Sequence, residues 1–336
     1  MKPTIYDVAQ AAGVSIATVS KVINETGRIS DKTRKHVFSI MEQLNYQPSM
    51  VASALTGKST YTIGLTLPDL ANPFFAEIAR SIEDRGHEYG FSVFICSTDN
   101  DPDKEVKYLS LLTQKRVDGI ISATRIQNDQ FLKKLIQQNI PIALITGEMP
   151  TLAVDTVMVD DYLGGFQAGN HLVELGHKRI AIVVEDMDNM SNRERIRGCK
   201  QAMANAGLYL DEQLVITGGF TVESGKSAMS NLLLLEERPS AVFACNDLLA
   251  IGAIRAAREQ GMQLPADLSV VGFDNTILAT LIDPPLTTIG QPIQEIGRRA
   301  VDLLVQEIKG EKVLKQRVVL LPELVLRNSS TSIHHK

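Results

Sequence analysis

The sequence predicts a multidomain chain, a small all-α unit at its amino end followed by a larger α/β unit of two doubly wound parallel sheets. Three observations carry this. Two short amphipathic segments flank Gly13, short apolar runs alternate with helical patterns from Tyr61 onward, and that alternation runs through two successive sets. With 336 residues the chain exceeds what one hydrophobic core normally serves, which also points to two or three domains.

The small unit opens at Thr4, which with Asp7 three residues on reads as a helix cap ahead of an apolar face of Ile5, Val8, Ala9 and Ala12. Gly13 breaks this helix. Ser15 caps a second one, running to about Asn24, with Val19, Val22 and Ile23 on one face and Ile16, Ala17, Ser20 and Lys21 on the other. Such a pair is a helix-turn-helix. Its outer face is small and polar with one cation, which suits insertion into a DNA major groove, where a lysine reaches guanine acceptors. A third helix, capped by Ser30, closes the core with Val37, Ile40, Met41 and Leu44, and Lys32, Arg34 and Lys35 at its start suit phosphates. Charge agrees by segment. The whole chain carries −5, but residues 1–60 hold seven Lys or Arg against four acids, a surplus of three. Pro48 and Ser49 can start a short helix over 50–55 that Gly57 ends, too short to persist alone in water.

In the larger unit, strands are expected at 62–67, 91–96, 119–123, 142–145 and 157–159, then at 180–184, 214–217, 241–244 and 270–273, with helices near 161–175, 192–206, 222–235 and 247–260. Two α/β halves in succession suggest lobes that close on a ligand. Open parallel sheets bind ligands beyond the carboxyl ends of their strands. Those positions are polar and aromatic here: Asp69, Asn72, Phe74 and Phe75, then Ser97, Thr124, Thr146, Asp160, Asn246, Asp247, Asp274 and Asn275. An aromatic face with fixed carboxylates and amides suits a small polyol or heterocycle. The aspartates equally suit helix caps, and the phenylalanines suit a core.

Other classes find little support. No apolar run is long enough for a bilayer, and the start of the chain lacks the apolar stretch and cleavage site of an export signal, so a cytoplasmic protein without membrane attachment is expected. Cys96, Cys199 and Cys245 lie far apart and read as buried thiols, and no spacing calls for a metal or cofactor. Gly225-Lys226-Ser227 lacks the glycine a phosphate loop needs five residues earlier, where Phe220 stands. No enzyme is expected.

The residues Ile5-Tyr6-Asp7-Val8-Ala9, Ala12-Gly13-Val14-Ser15, Thr18-Val19-Ser20, Asn24 and Leu44-Asn45-Tyr46-Gln47-Pro48 resemble the headpiece of the lactose-repressor (LacI/GalR) family. The resemblance continues through Asn72-Pro73-Phe74-Phe75, Val117-Asp118-Gly119, Leu175-Gly176-His177, Asn246-Asp247, Val271-Gly272-Phe273-Asp274-Asn275 and Pro285-Leu286-Thr287-Thr288. Within the family, the chain looks similar to catabolite-control and degradation-activator-like members of Gram-positive bacteria. The resemblance implies a homodimeric regulator, a repressor, that binds a palindromic double-stranded operator under the control of a sugar-like effector held in a periplasmic-binding-protein-like domain. It implies base reading by Ile16, Ala17 and Lys21 and phosphate contacts by Tyr6, Thr18, Ser20, Asn24, Ser30 and Thr33, with Ser15, Arg28, Tyr46, Ser49 and Ala52 completing the DNA-contacting set and Leu55 wedging into the minor groove. It implies effector contacts by Phe74, Phe75, Arg195, Phe220, Asn246, Asp274 and Gln291.

The implied organisation is a headpiece at 1–47, a hinge at 48–59, an effector and dimerisation domain at 60–327 and a polar tail at 328–336. Within that domain, 60–160 with 291–318 would form one subdomain and 161–290 with 319–327 the other. The chain departs from the family in four places. Lys21 stands where arginine is common, losing the bidentate fork on guanine. Ser49 replaces an asparagine cap. Glu185-Asp186-Met187-Asp188 follows a strand where a small residue is usual. Asp302 and Gln306 occupy positions that are basic where the family binds a phosphorylated carrier protein, so that partner is not expected. The tail has no leucine heptads to join dimers into tetramers.

Overall fold

Thr4 caps α1 (Ile5–Ala11) reciprocally: its hydroxyl receives the Asp7 N–H at 3.4 Å, and its own N–H donates to the Asp7 carboxylate at 2.7 Å. Those bonds hold the Asp7 carboxyl below its usual range. Helices α2 (Ile16–Ile23) and α3 (Asp31–Gln43) complete the unit around Val8, Ala9, Ala12, Val19, Val22, Val37 and Met41. These are the positions the 3.6-residue period selects. The structure, a computed structural model, describes residues 3–23, 27–46, 59–124, 129–145, 147 and 152–333. It divides into two compact units, Met1–Thr60 and Tyr61–Lys336. The expected hinge helix, with Ser49, Ala52 and Leu55, lies outside the described residues, as do Asn24 and Thr146.

In the larger unit the chain runs β1 (Thr62–Leu67), α4 (Pro73–Glu88), β2 (Ser92–Ser97), α5 (Pro102–Gln114), β3 (Gly119–Ser122), α6 (Asp129–Gln137), β4 (Ile142–Ile145) and β5 (Asp155–Val159). It continues through α7 (Asp161–Glu174), β6 (Ile180–Val184), α8 (Met190–Asn205), β7 (Val215–Thr217), α9 (Val222–Leu233), β8 (Ala241–Ala244), α10 (Asp247–Glu259) and β9 (Ser269–Asp274). Last come α11 (Ile277–Leu281), β10 (Thr287–Gly290), α12 (Ile293–Ile308), β11 (Arg317–Leu320) and β12 (Glu323–Val325). One lobe holds the sheet β11-β5-β4-β3-β1-β2, parallel throughout, and the other β12-β10-β9-β8-β6-β7, in which only β12 is antiparallel. Helices cover both faces, so β1 and β6 are buried along their whole length. Among the described residues no helix is long and apolar enough to cross a membrane.

One expected boundary needs correction. The lobe boundary expected at 318 falls inside β11, whose four residues all pair with β5, so the crossing to the second lobe comes after Leu320. The polar segment 328–333 packs against the second lobe as a strap. Ser329, 1 % exposed, donates to the Val270 carbonyl at 2.5 Å and receives the Thr287 N–H at 2.8 Å, while the Thr331 N–H donates to Ser269 at 3.0 Å. His171 meets Ser330 at 2.9 Å, and His177 meets the Ser240 hydroxyl at 2.9 Å and the Thr331 carbonyl at 3.1 Å.

Burial holds both imidazoles below their ordinary value of 6.5. They stay neutral in the fold and take up protons on unfolding, so their contribution to stability is present above pH 6.5 and is lost as the pH falls below it. Urea unfolding of His177→Gln between pH 7.5 and 5.5 is therefore expected to show a shallower loss of stability on acidification than the parent; equal slopes would refute the assignment.

Two pairs of helices in the second lobe meet backbone to backbone. A Cβ on Gly165 of α7 would stand 2.0 Å from the Arg195 carbonyl oxygen, and one on Gly198 of α8 would stand 2.0 Å from that of Tyr162. In the other pair, a Cβ on Gly225 would stand 2.6 Å from the Leu249 oxygen and one on Gly252 would stand 2.2 Å from the Val222 oxygen. Gly225 thus serves helix packing, and Lys226 pairs with Glu259 at 2.8 Å, leaving no phosphate cradle.

Candidate functional site

The headpiece turns one side of α2 outward. Ser15, Ile16, Ala17 and Lys21 are exposed, Thr18 and Ser20 half-buried, while Val19 and Val22 anchor the opposite side. The Ser15 hydroxyl receives the Thr18 N–H at 3.1 Å and pairs with its hydroxyl at 2.9 Å, which fixes the helix entry. Ser30 does the same for α3 through Thr33, at 3.2 and 2.8 Å. Tyr6, at 68 % exposure, and Arg28 are open to solvent. Tyr46 is half-buried against the core, and burial raises its phenol above 10.0. An apolar Ile16 left 40 % exposed beside an exposed lysine is a surface shaped for a partner with apolar and acceptor groups, as a major groove has.

The second cluster lies at the carboxyl ends of the second lobe's strands. Arg195, on α8, is buried; its Nε donates to Asp161 at 2.7 Å, one terminal nitrogen donates to the Cys245 carbonyl, and the guanidinium sits 3.6 Å from the centre of the Phe273 ring. Burying a guanidinium requires such partners, and they fix its direction. The backbone contact at Gly165 sets the position of the Arg195 main chain itself.

Asp274 ends β9 with φ of 113°, a conformation that costs a non-glycine residue about 1–3 kcal/mol and collects at functional sites. Gln291 donates to its carboxylate at 2.7 Å. Burial and the neighbouring Asp247 push the Asp274 carboxyl well above its ordinary range, against the pull of Arg195. Asp247 itself is pushed up to about 6 by burial, although it accepts from the Thr276 N–H and hydroxyl and from Thr288. Asn246 caps α10 by accepting the Leu249 N–H at 2.7 Å and donates to Glu185.

The structure thus brings together Arg195, Asn246, Asp274 and Gln291 of the predicted effector residues. It does not do so for the aromatics. Phe74 belongs to the first lobe's core beside Ile63 and Leu65, its ring edge-on to Phe75 at 5.0 Å, so only Phe75 has surface to spare; Phe220 is 43 % exposed ahead of α9. Asp161, Asn192 and the Phe273 ring were not foreseen as site residues. Asp161 follows the Asp160 cap, where one acid masks the other, and Asn192 precedes Arg195 by three residues on the same buried side of α8. Among the described residues no group of three or more His, Cys, Asp or Glu side chains could hold a metal ion. The three cysteines are buried free thiols, Cys199 pushed up to about 12 by burial.

A three-helix DNA-reading unit in one chain with a bilobed domain whose strand ends are polar is the plan of a helix-turn-helix transcriptional regulator. A family model described as "Bacterial regulatory proteins, lacI family" matches residues 4–49, and one described as "Periplasmic binding protein-like domain" matches residues 170–330. The HTH-type transcriptional regulator DegA of Bacillus subtilis (strain 168) is 50 % identical over 99 % of this chain and 100 % of its own length. The HTH-type transcriptional repressor PurR of Mannheimia succiniciproducens is 38 % identical over 98 % of this chain and 99 % of its own. In structure, the lac repressor dimer bound to operator and the anti-inducer ONPF aligns with a TM-score of 0.88, at 31 % identity, over 99 % of this chain and 100 % of that one. The chain belongs to the lacI family of bacterial transcriptional regulators, as its headpiece motif implied.

Proposed function

We propose that the chain is a homodimeric repressor, acting in the cytoplasm, that binds a palindromic DNA operator and changes its affinity when a small polar metabolite occupies the second lobe's strand ends. The observation that carries the DNA half is the outward face of α2, where Ile16, Ala17 and Lys21 stand clear of the core on a rigidly capped helix. Two-fold operator symmetry calls for two headpieces, hence a dimer. Residues 1–47 serve as headpiece and 48–59 as hinge, with Leu55 as the minor-groove wedge. The first lobe comprises 60–160 with 291–320, and the second 161–290 with the segment from 321. No catalytic step is assigned. The effector half rests on Arg195, Asp274, Asn246 and Gln291 being held in fixed geometry at one strand-end surface. The transcriptional regulator CelR, solved in complex with cellobiose, aligns with a TM-score of 0.75 at 33 % identity over 97 % of this chain, which favours a sugar-like class of effector.

A phosphorylated carrier protein fits poorly. Asp302 on α12 is already clasped by Arg85 at 2.7 Å and by the Tyr89 hydroxyl at 3.0 Å, and adds negative charge where a phosphate would need cations.

Selection of operators from a random duplex library by the full-length protein tests the reading. A two-fold symmetric consensus is expected, and Lys21→Ala should lose roughly 1–3 kcal/mol on the cognate site while non-specific binding stays within a few-fold. Recovery of no sequence-selective DNA, with or without added sugars, sinks the proposal.

A further inference from the structure

The polar cluster in the second lobe is unbalanced in charge and in hydrogen-bonding capacity. Arg195 is a single guanidinium among Asp161, Glu185 and Asp274, and it is already paired with Asp161. Glu185 is the first residue after β6. It is held in place by the Asn246 amide and also hydrogen-bonds Asn192. Burial raises its carboxyl above the ordinary range, because the donors around it do not replace the water it has lost.

Asn192 supplies the independent observation. It is 1 % exposed, its amide nitrogen donates to the Asp186 carbonyl at 3.0 Å, and its Oδ1 is buried without a hydrogen-bond partner among the described residues. An unmet buried acceptor is rare in folded proteins and costs free energy until a donor reaches it. Here it adjoins a carboxylate that is short of positive charge. The group that complements both is one with several donors, no acceptor and a positive charge, which describes a protonated primary amine; a hydroxyl brings one donor, and a phosphate or carboxylate brings only acceptors.

We infer that Glu185 and Asn192 form an ammonium subsite, so that the effector is an amine-bearing polar metabolite of the amino-sugar type and anionic sugars are excluded. Asp274 and Arg195 remain for its hydroxyls. The inference rests on the proposed effector role of this surface.

The test is thermal unfolding of the full-length protein and of Glu185→Gln at pH 7.5. The ligands are D-glucosamine, D-galactosamine and D-mannosamine, each beside its parent hexose and the hexose 6-phosphate. An amino-hexose is expected to raise the midpoint more than its parent, the phosphates to leave it unchanged, and E185Q to bind the amine at least tenfold more weakly while losing any preference for it over the parent. A stronger response to a phosphate, or to a parent hexose than to its amine, overturns the inference, as does an undiminished amine response in E185Q. If no sugar shifts either protein, the unliganded midpoints decide. An acid kept for a ligand destabilises the empty fold, so E185Q should be at least as stable as the parent; a lower midpoint makes Glu185 a structural partner of Asn246 and overturns the inference. Operator band shifts with the same ligands separate the two levels. A response to a neutral or anionic sugar that E185Q leaves intact removes the ammonium subsite alone, whereas no response to any polar metabolite removes the effector reading itself.

Discussion

Gly198→Ala is expected to lower the thermal midpoint of the ligand domain by roughly 6–12 °C, the equivalent of about 3 kcal/mol. The added methyl would lie 2.0 Å from the Tyr162 carbonyl oxygen, and the nearest nitrogen, that of Phe166, is 2.6 Å away. Both are backbone atoms of α7, so no rotamer change can relieve the overlap and the two helices must separate. That separation is costly because Ala168, Leu172, Ile196, Cys199 and Met203 fill the space between these helices and β6. Gly207→Ala offers a contrast at the end of α8: its Cβ would meet nothing within 4 Å, but its φ of 72° makes the cost one of backbone strain, about 1 kcal/mol. Differential scanning calorimetry of the two variants checks the order. A Gly198→Ala protein as stable as the parent would mean that the α7–α8 approach is looser than described.

Arg195→Met is the second large effect, with a loss of roughly 3–5 kcal/mol, because Asp161 is left as a buried charge with no partner. The Cys245 carbonyl loses its donor and the Phe273 ring its cation in the same step. Stability and function part company in the double variant. Arg195→Met with Asp161→Leu removes both charges, and apolar replacement of a buried pair is often neutral or stabilising, so most of the lost stability should return. If Arg195 has the proposed effector role, the ligand response of operator binding should not return, since the guanidinium is gone. Urea unfolding paired with operator titration reads both quantities. A double variant that regains stability and still answers a ligand as the parent does would strip Arg195 of its effector role and leave it a purely structural cation.

Much of the fold was legible because its central strands are buried on both faces and therefore read as short runs rich in apolar residues. Thr62–Leu67, Ile142–Ile145, Ile180–Val184 and Ala241–Ala244 have the limits expected of them. The strands that escaped notice lack that mark. Thr287–Gly290 is half threonine and follows two prolines, Arg317–Leu320 is partly exposed, and Glu323–Val325 is three residues long. β11 pairs with β5, far back in the sequence, and β12 pairs with β10 across the whole of α12, so no local pattern can announce either. The site divides in the same way. Asp274 and Asn246 stand at or just beyond strand ends and were visible from that rule alone, whereas Gln291 follows β10 and came only with the family resemblance. The partnership of Arg195 with Asp161 spans 34 residues and depends on glycines letting α7 and α8 touch, and the open acceptor of Asn192 exists only in three dimensions.

The chain passes between its lobes three times, from β5 into α7, from β10 into α12 and from β11 into β12. No single cut in the gene therefore yields either lobe whole. Swapping one lobe between two regulators, to graft one protein's ligand preference onto another's DNA target, requires exchanging one long internal segment and the carboxyl-terminal strap as a matched set. A chimera that takes 161–290 from one parent and keeps the strap of the other would force Ser329 and Thr331 to satisfy a foreign β9, and Ser330 and Thr331 a foreign pair of histidines. Breeding new specificities in this scaffold is thus a problem of three junctions, with the shortest exchanged piece the easiest to overlook.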